Sequence, residues 1–478
     1  MHRMSGMDSG FLSLELPSQP MHSVLVGVLS PAFDTDGSPA PITIAYLHQH
    51  LAERMDVLPA LRWRVKRVPL GLHHPIFIED PAFDLRRHLT AETLPAPGST
   101  EQLEKLCAAL GETCLDRHLP LWKMILVDGL ANGRQALVFC VHHALMDATA
   151  VLVNLSRIFS EEPHMLVPAS QPPGPDTIPS RSRLFARALL DHRKTPGKTW
   201  RLAQRYRKGQ AALSREGGQT PVRVPQEAAD TPQCSLNDTS APARTFALAT
   251  LSLADIRHIR RVADVTFNDV ALAVVAGALR AYLIERNQLP SAPLVSNTLV
   301  GLDRPSDQRT WGNLLSGFPT FLATDVADPW ARLRMVHQVS EEAKRRFFAL
   351  GPDLLVEALE CFPPWLAEPA VRRRYRRLKK GSARADANIT VSTMMGPEAP
   401  WRLGFASVES FYLSGPPNSG VGSIVGIFSY CGKALATVHS FAAALEDPRD
   451  FVRQLEASLA DLVAAADVAS GGANGVFG

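Results

Sequence analysis

The sequence predicts a mixed α/β protein of two halves joined by a long crossover. Three observations carry this. Short apolar runs alternate with helical patterns over residues 1–160, and the same alternation restarts at residue 244. Between them, residues 161–243 are rich in Pro, Ser, Gln and basic side chains. The expected units are therefore 1–160, a crossover linker 161–243, and 244–478. A chain of 478 residues fits two or three domains at ~100–200 residues each.

Taken in order, Val24–Leu29 reads as a strand, 42–57 as a helix, and 61–68 with 75–79 as further extended pieces. Residues 101–114 are amphipathic. Strands follow at 124–127 and 136–141; the second is wholly apolar, as expected of a central buried strand. The period turns helical from Asp147 to Phe159. In the linker only the basic amphipathic stretch 181–205 has a helical pattern. The second half opens with a strand at 246–253, then a helix, then a second, apolar helix after Asn268–Asp269. Ile389–Ser392 reads as a strand, and 424–430 with 434–439 as a hairpin turning at Gly432–Lys433. Asp447 and Pro448 start a last helix with Phe451, Leu455, Leu459 and Leu462 on one face.

Composition removes several classes. Apolar residues make up 46% and charged residues 20%, enough for a sizeable core. A net charge of +3 gives no global pull toward nucleic acid. The six cysteines include no Cys-x-x-Cys pair, which fits neither a zinc site nor a disulfide framework. The first sixteen residues lack the apolar core of a signal peptide. The longest apolar stretch, 270–284, contains Arg280 and falls short of the ~20 residues a bilayer span needs.

The chemistry concentrates at 141–148, Val-His-His-Ala-Leu-Met-Asp-Ala, where a buried strand gives way to a helix. A neutral imidazole takes a proton well near pH 7, a role worth about 10²–10⁴-fold in rate. Adjacent histidines point in different directions, so one of His142 and His143 is the expected base and the other fixes geometry. Asp147 is either a helix N-cap or one half of an ion pair holding the turn; both readings are compatible. A second pair, His73–His74, lacks the aspartate and reads as structural.

The surrounding blocks resemble one family, the bacterial bifunctional wax ester synthase/diacylglycerol acyltransferases of the coenzyme A-dependent acyltransferase superfamily. The resemblance lies in Met7–Leu12 (Met-Asp-Ser-Gly-Phe-Leu) with Pro20-Met21-His22, in 59–65, in 69–75, and in Pro120-Leu121-Trp122. It continues in Asn268-Asp269-Val270, in Gly312-Asn313 with Ser316, and in Asn388 with Ser392 and Gly396-Pro397. It spans nearly the whole chain except the linker.

The resemblance implies two chloramphenicol-acetyltransferase-like domains joined by the linker. It implies transfer of a long-chain acyl group from acyl-CoA to diacylglycerol, forming triacylglycerol, or alternatively to a long-chain alcohol, forming a wax ester. His143 matches the motif's general base, His142 its supporting histidine, and Asp147 the structural aspartate paired with an arginine. Asn268 matches a residue near the developing oxyanion, with a plain helix N-cap as the alternative; for Trp122, core packing is favoured over an acyl-channel wall. Acyl-CoA is a co-substrate, and no cofactor or metal is expected. The expected location is cytoplasmic, with peripheral contact to the inner face of the membrane or to lipid inclusions as an option. The basic run 372–380 is either a solvated face or a contact for anionic lipid. Two departures stand out: Ala148 replaces the motif's glycine, and Thr393-Met394-Met395 replaces an Asn-Val-Pro run. They motivate a third reading, a weakly active paralogue that binds acyl lipids.

Overall fold

The computed structural model describes residues 2–161, 179–193, 195–216, 222–226, 228–304 and 307–474. Two six-stranded mixed sheets form its centre. In space the first runs Arg402–Leu403, Ala406–Tyr412, His22–Leu29, Gln135–His142, Trp122–Asp128 and Leu89–Thr93, with only its last pair parallel. The second runs Leu315–Phe321, Val295–Gly301, Ile389–Met395, Ser423–Tyr430, Lys433–Phe441 and Arg244–Ser252. Ile389–Met395 pairs in parallel with both of its neighbours. A small third sheet joins His2–Arg3, Ile76–Glu79 and Trp63–Lys66.

The predicted strands lie where the pattern put them, most of them longer at one or both ends; the pieces expected at 61–68 and 75–79 are shorter, Trp63–Lys66 and Ile76–Glu79, and the one expected at 246–253 runs Arg244–Ser252. Gln135–His142 is buried along its whole length and sits between two strands of its sheet, as its unbroken apolar run implied. The hairpin forms, but its turn is Cys431–Gly432, both at positive φ, one residue earlier than expected. The amphipathic linker stretch becomes two helices, Arg181–His192 and Thr195–Glu216. The apolar stretch 270–284 is part of a 19-residue helix, Phe267–Glu285, longer than the sequence suggested and long enough in principle to cross a membrane. Thirteen of its residues are buried against the second sheet and the C-terminal helix, so it is a core helix here.

Two features tie the halves together. Residues 402–412 leave the second half and complete the first sheet, an exchange invisible in a division of the chain at 160 and 243. The open edge of Arg244–Ser252 is covered by the helix Thr100–Glu112, whose Glu104 carboxylate accepts the Leu248 N–H at 2.9 Å. Such cover blunts an edge that would otherwise template further pairing.

Candidate active site

The end of Gln135–His142 is anchored on both sides before the histidines leave it. His142 N–H donates to Leu121 O, and His143 N–H donates to Met21 O. The chain then turns through Leu145 into the helix Ala148–Ile158. This turn faces a segment from the other half: Gly312 N–H donates to Leu145 O, and Asp147 N–H donates to Gly312 O. Gly312 sits at φ +78°, a conformation glycine adopts freely, and this aims Asn313 at the turn.

His143 lines a cavity of about 300 Å³ between the two sheets. Phe11 stacks on its ring at 4.1 Å between centroids. Asn313 Oδ1 lies 2.8 Å from His143 Nδ1, while Asn313 Nδ2 donates to His143 O at 2.7 Å. The second bond fixes which end of the amide is which, so Nδ1 carries the proton and Nε2 keeps its lone pair. Burial pushes the imidazolium below the ordinary histidine range, against the opposing pull of Asp147 and of the Asn313 oxygen. The ring is therefore neutral at pH 7, in the tautomer a general base needs.

His142 points away, into the first half. It is fully buried, its Nδ1 accepts the Ala144 N–H, and its Nε2 lies 3.0 Å from Glu15 Oε2. Burial works against charge on Glu15, but the bond to His142 and the nearby Arg117 hold its carboxyl down at about 2.

Asp147 satisfies both sequence readings at once. It caps its helix by accepting the Ala150 N–H, accepts the Leu314 N–H, and pairs with Arg309 at 2.7 Å. Arg309 also pairs with Asp303 at 2.7 Å, and its guanidinium is held well above its ordinary value by the two carboxylates despite burial. Ala148 is the first residue of the helix and lies outside the positive-φ region, so nothing in its backbone calls for glycine.

The cavity's far wall is one face of the second sheet. Leu299, Met394, Ile424 and Phe428 alternate there with Gly317, Ser392 and Gly426, leaving an apolar trough. A Cβ at Gly426 would stand 2.5 Å from Leu413 O, so the loop crossing the sheet needs glycine there.

The structure revises the expectation for Asn268. Thr266 caps that helix, in a reciprocal box with Asp269, so Asn268 is not the cap. Nor does it line the cavity: its Oδ1 accepts from Thr393 Oγ1 at 3.0 Å, and Thr393 stands at the wall. Trp122 is core, donating to Leu61 O at 2.7 Å and stacked on His88. Arg309, Asn313, Glu15 and Phe11 were not assigned roles from the sequence, although the blocks at 7–12 and 312–313 contain two of them.

Residues 4–271 match the wax ester synthase/diacylglycerol acyltransferase catalytic domain, and residues 311–463 match the C-terminal domain of the same family. The chain belongs to that family. It is an acyltransferase acting on lipids, using acyl-CoA and an acceptor lipid. A Mycobacterium tuberculosis H37Rv protein named "Putative diacyglycerol O-acyltransferase" is 31% identical over 471 residues, covering 98% of each chain. A second from the same strain, similarly named, is 29% identical, covering 98% of this chain and 97% of its own. The wax ester synthase/diacylglycerol acyltransferase from Marinobacter aquaeolei VT8 shares the fold at 24% identity and a TM-score of 0.66, covering 97% of this chain and all of its own. The first condensation domain of the CDA synthetase shares it at 16% identity and 0.56, with 96% of each chain covered. The cysteines of this acyltransferase are free, and burial pushes the thiol nearest the turn, Cys140, up to about 12, far from a reactive thiolate.

Proposed function

We propose that the chain transfers a long-chain acyl group from acyl-CoA to diacylglycerol, forming triacylglycerol by direct attack on the thioester. The observation that carries the mechanism is the hydrogen bond between His143 and Asn313, which leaves Nε2 unprotonated on a ring lining the cavity. As the acceptor hydroxyl oxygen bonds to the thioester carbon, Nε2 takes its proton. The carbon–sulfur bond then breaks, and the imidazolium returns that proton to the departing thiolate. No cofactor is required in this reading. The apolar trough suits an acyl chain, and the curated relatives' names favour diacylglycerol as acceptor.

Wax ester formation is the second reading, since the family covers both products. Equal offers of diacylglycerol and a long-chain alcohol, with labelled acyl-CoA, separate the two. Predominant label in triacylglycerol supports the first reading, and predominant label in wax ester replaces it. The third reading, an acyl-lipid binder with little turnover, loses one of its two motives because Ala148 occupies an ordinary helical position.

The working location in this reading is cytoplasmic, at the inner membrane face or on lipid inclusions. The helix Pro364–Lys379 supports it: Trp365 is 54% exposed, Phe362 just before it 48%, and the basic run follows on the same helix. Apolar anchors beside clustered arginines suit an anionic lipid surface.

A further inference from the structure

The near N-terminal helix Gly6–Leu14 reaches the base by a route that helix capping does not explain. Asp8 is 1% exposed, 135 residues before His143 and 305 before Asn313. One of its carboxylate oxygens, Oδ2, accepts the Ser5 N–H at 2.9 Å, while Asp8 N–H donates to Ser5 Oγ at 3.0 Å. That reciprocal pair is a capping box, and it accounts for one oxygen only. The other, Oδ1, accepts from Asn313 Nδ2 at 2.8 Å. Asn313 passes the orientation on, with Oδ1 toward His143 Nδ1.

We infer that Asp8 is a positioning residue, holding Asn313 in the one amide orientation that keeps His143 Nε2 free. The inference rests on His143 being the base and assigns a task to a residue two links away from the chemistry. With an acceptor at Asp8 and a second at His143 O, Nδ2 has two places to donate. A flipped amide would set its oxygen against both acceptors and an N–H against Nδ1, forcing the proton of the imidazole onto Nε2. Burial raises the Asp8 carboxyl to about 6, despite the bonds from Asn313 and Ser5. A carboxylate retained at that cost is consistent with a task beyond the cap. The same helix supplies Phe11, which holds the imidazole from its face.

Four variants test this: Asp8→Asn, Ser5→Ala, Asn313→Asp and the double exchange Asp8→Asn/Asn313→Asp. Two readouts are used, kcat and KM for acyl-CoA, and the ring ¹⁵N shifts of His143, assigned by difference from His143→Gln. Ser5→Ala removes the side-chain half of the capping box without touching Asn313 and should leave kcat and the tautomer unchanged. Asp8→Asn should lower kcat on the order of 10-fold, part of a general base's ~10²–10⁴. Its KM should stay level, and its ¹⁵N shifts should report mixed tautomers. The double exchange reverses the pair, with a donor at 8 facing an acceptor at 313, and should recover kcat relative to Asn313→Asp alone, where two carboxylates face each other. That arm remains informative even if Asp8→Asn folds poorly. Wild-type kcat and a single tautomer in Asp8→Asn, with His143→Gln inactive, overturn this inference alone. Full activity in His143→Gln overturns the assignment of the base as well.

Discussion

Nη2 of Arg309 lies 2.9 and 2.7 Å from the two carboxylate oxygens of Asp147, joining segments 162 residues apart in the sequence. The pair sits at the seam between the two sheets, beside the turn that bears His143. Removing one partner leaves a buried charge uncompensated, which typically costs ~3–5 kcal/mol. Arg309→Ala should lose about that much stability in chemical denaturation, and activity with it. Asp147→Asn/Asp303→Asn/Arg309→Gln, which removes all three charges of the cluster, should be the more stable of the two variants. Equal loss in both would show that the charge pair is not what holds the turn.

Glu15 gives the fold an acid limit. Its carboxyl is held at about 2 in the folded chain, below the ordinary ~4.3 of an unfolded glutamate. A lowered carboxylate contributes stability that is fully present above the unfolded value and lost as pH falls through the folded one. Stability should therefore drop between about pH 4 and pH 2, and Glu15→Gln should flatten that part of the curve. Equilibrium denaturation of the two proteins across this range reads the difference, and parallel curves would remove Glu15 from the account.

Ala148→Gly should leave turnover close to wild type. The position is the first of its helix, without positive φ, so glycine gains nothing and costs at most ~0.5–1 kcal/mol in backbone entropy. A gain of several-fold in kcat would mean that the alanine methyl, which faces the cavity, obstructs substrate.

Binding to anionic vesicles should weaken with salt and with charge removal from 372–380, by about 1 kcal/mol per basic residue near the surface. Arg374, already paired with Asp386 at 2.5 Å, should matter least. Trp365→Ala should reduce binding without altering its salt dependence. Binding that ignores salt would exclude the electrostatic account of this helix.

The strand–helix junction at His142–Asp147 was legible because it is local: an apolar run ends, two histidines leave it, and a cap residue starts the next period. The helix at 448 was legible for the same reason, through Asp447 and Pro448. Arg309, Asn313 and Asp8 could not be assigned from spacing, because their partners lie 162, 170 and 305 residues away. Asn268 shows the converse. Its place near a helix start suggests a cap, and the family resemblance an oxyanion contact, yet Thr266, two residues earlier, makes the cap, and Asn268 Oδ1 accepts from Thr393. The exchange of 402–412 into the first sheet also leaves no local trace, since alternation identifies a strand but not its neighbour.

The most direct measurement is acyl transfer from acyl-CoA by purified wild type and His143→Ala, with acyl-CoA binding and thermal unfolding measured on both. The account predicts a loss of about 10²–10⁴-fold in turnover, with binding and unfolding close to wild type. Turnover that survives the substitution in a folded protein would contradict it, and the proton would have to leave the acceptor by another group.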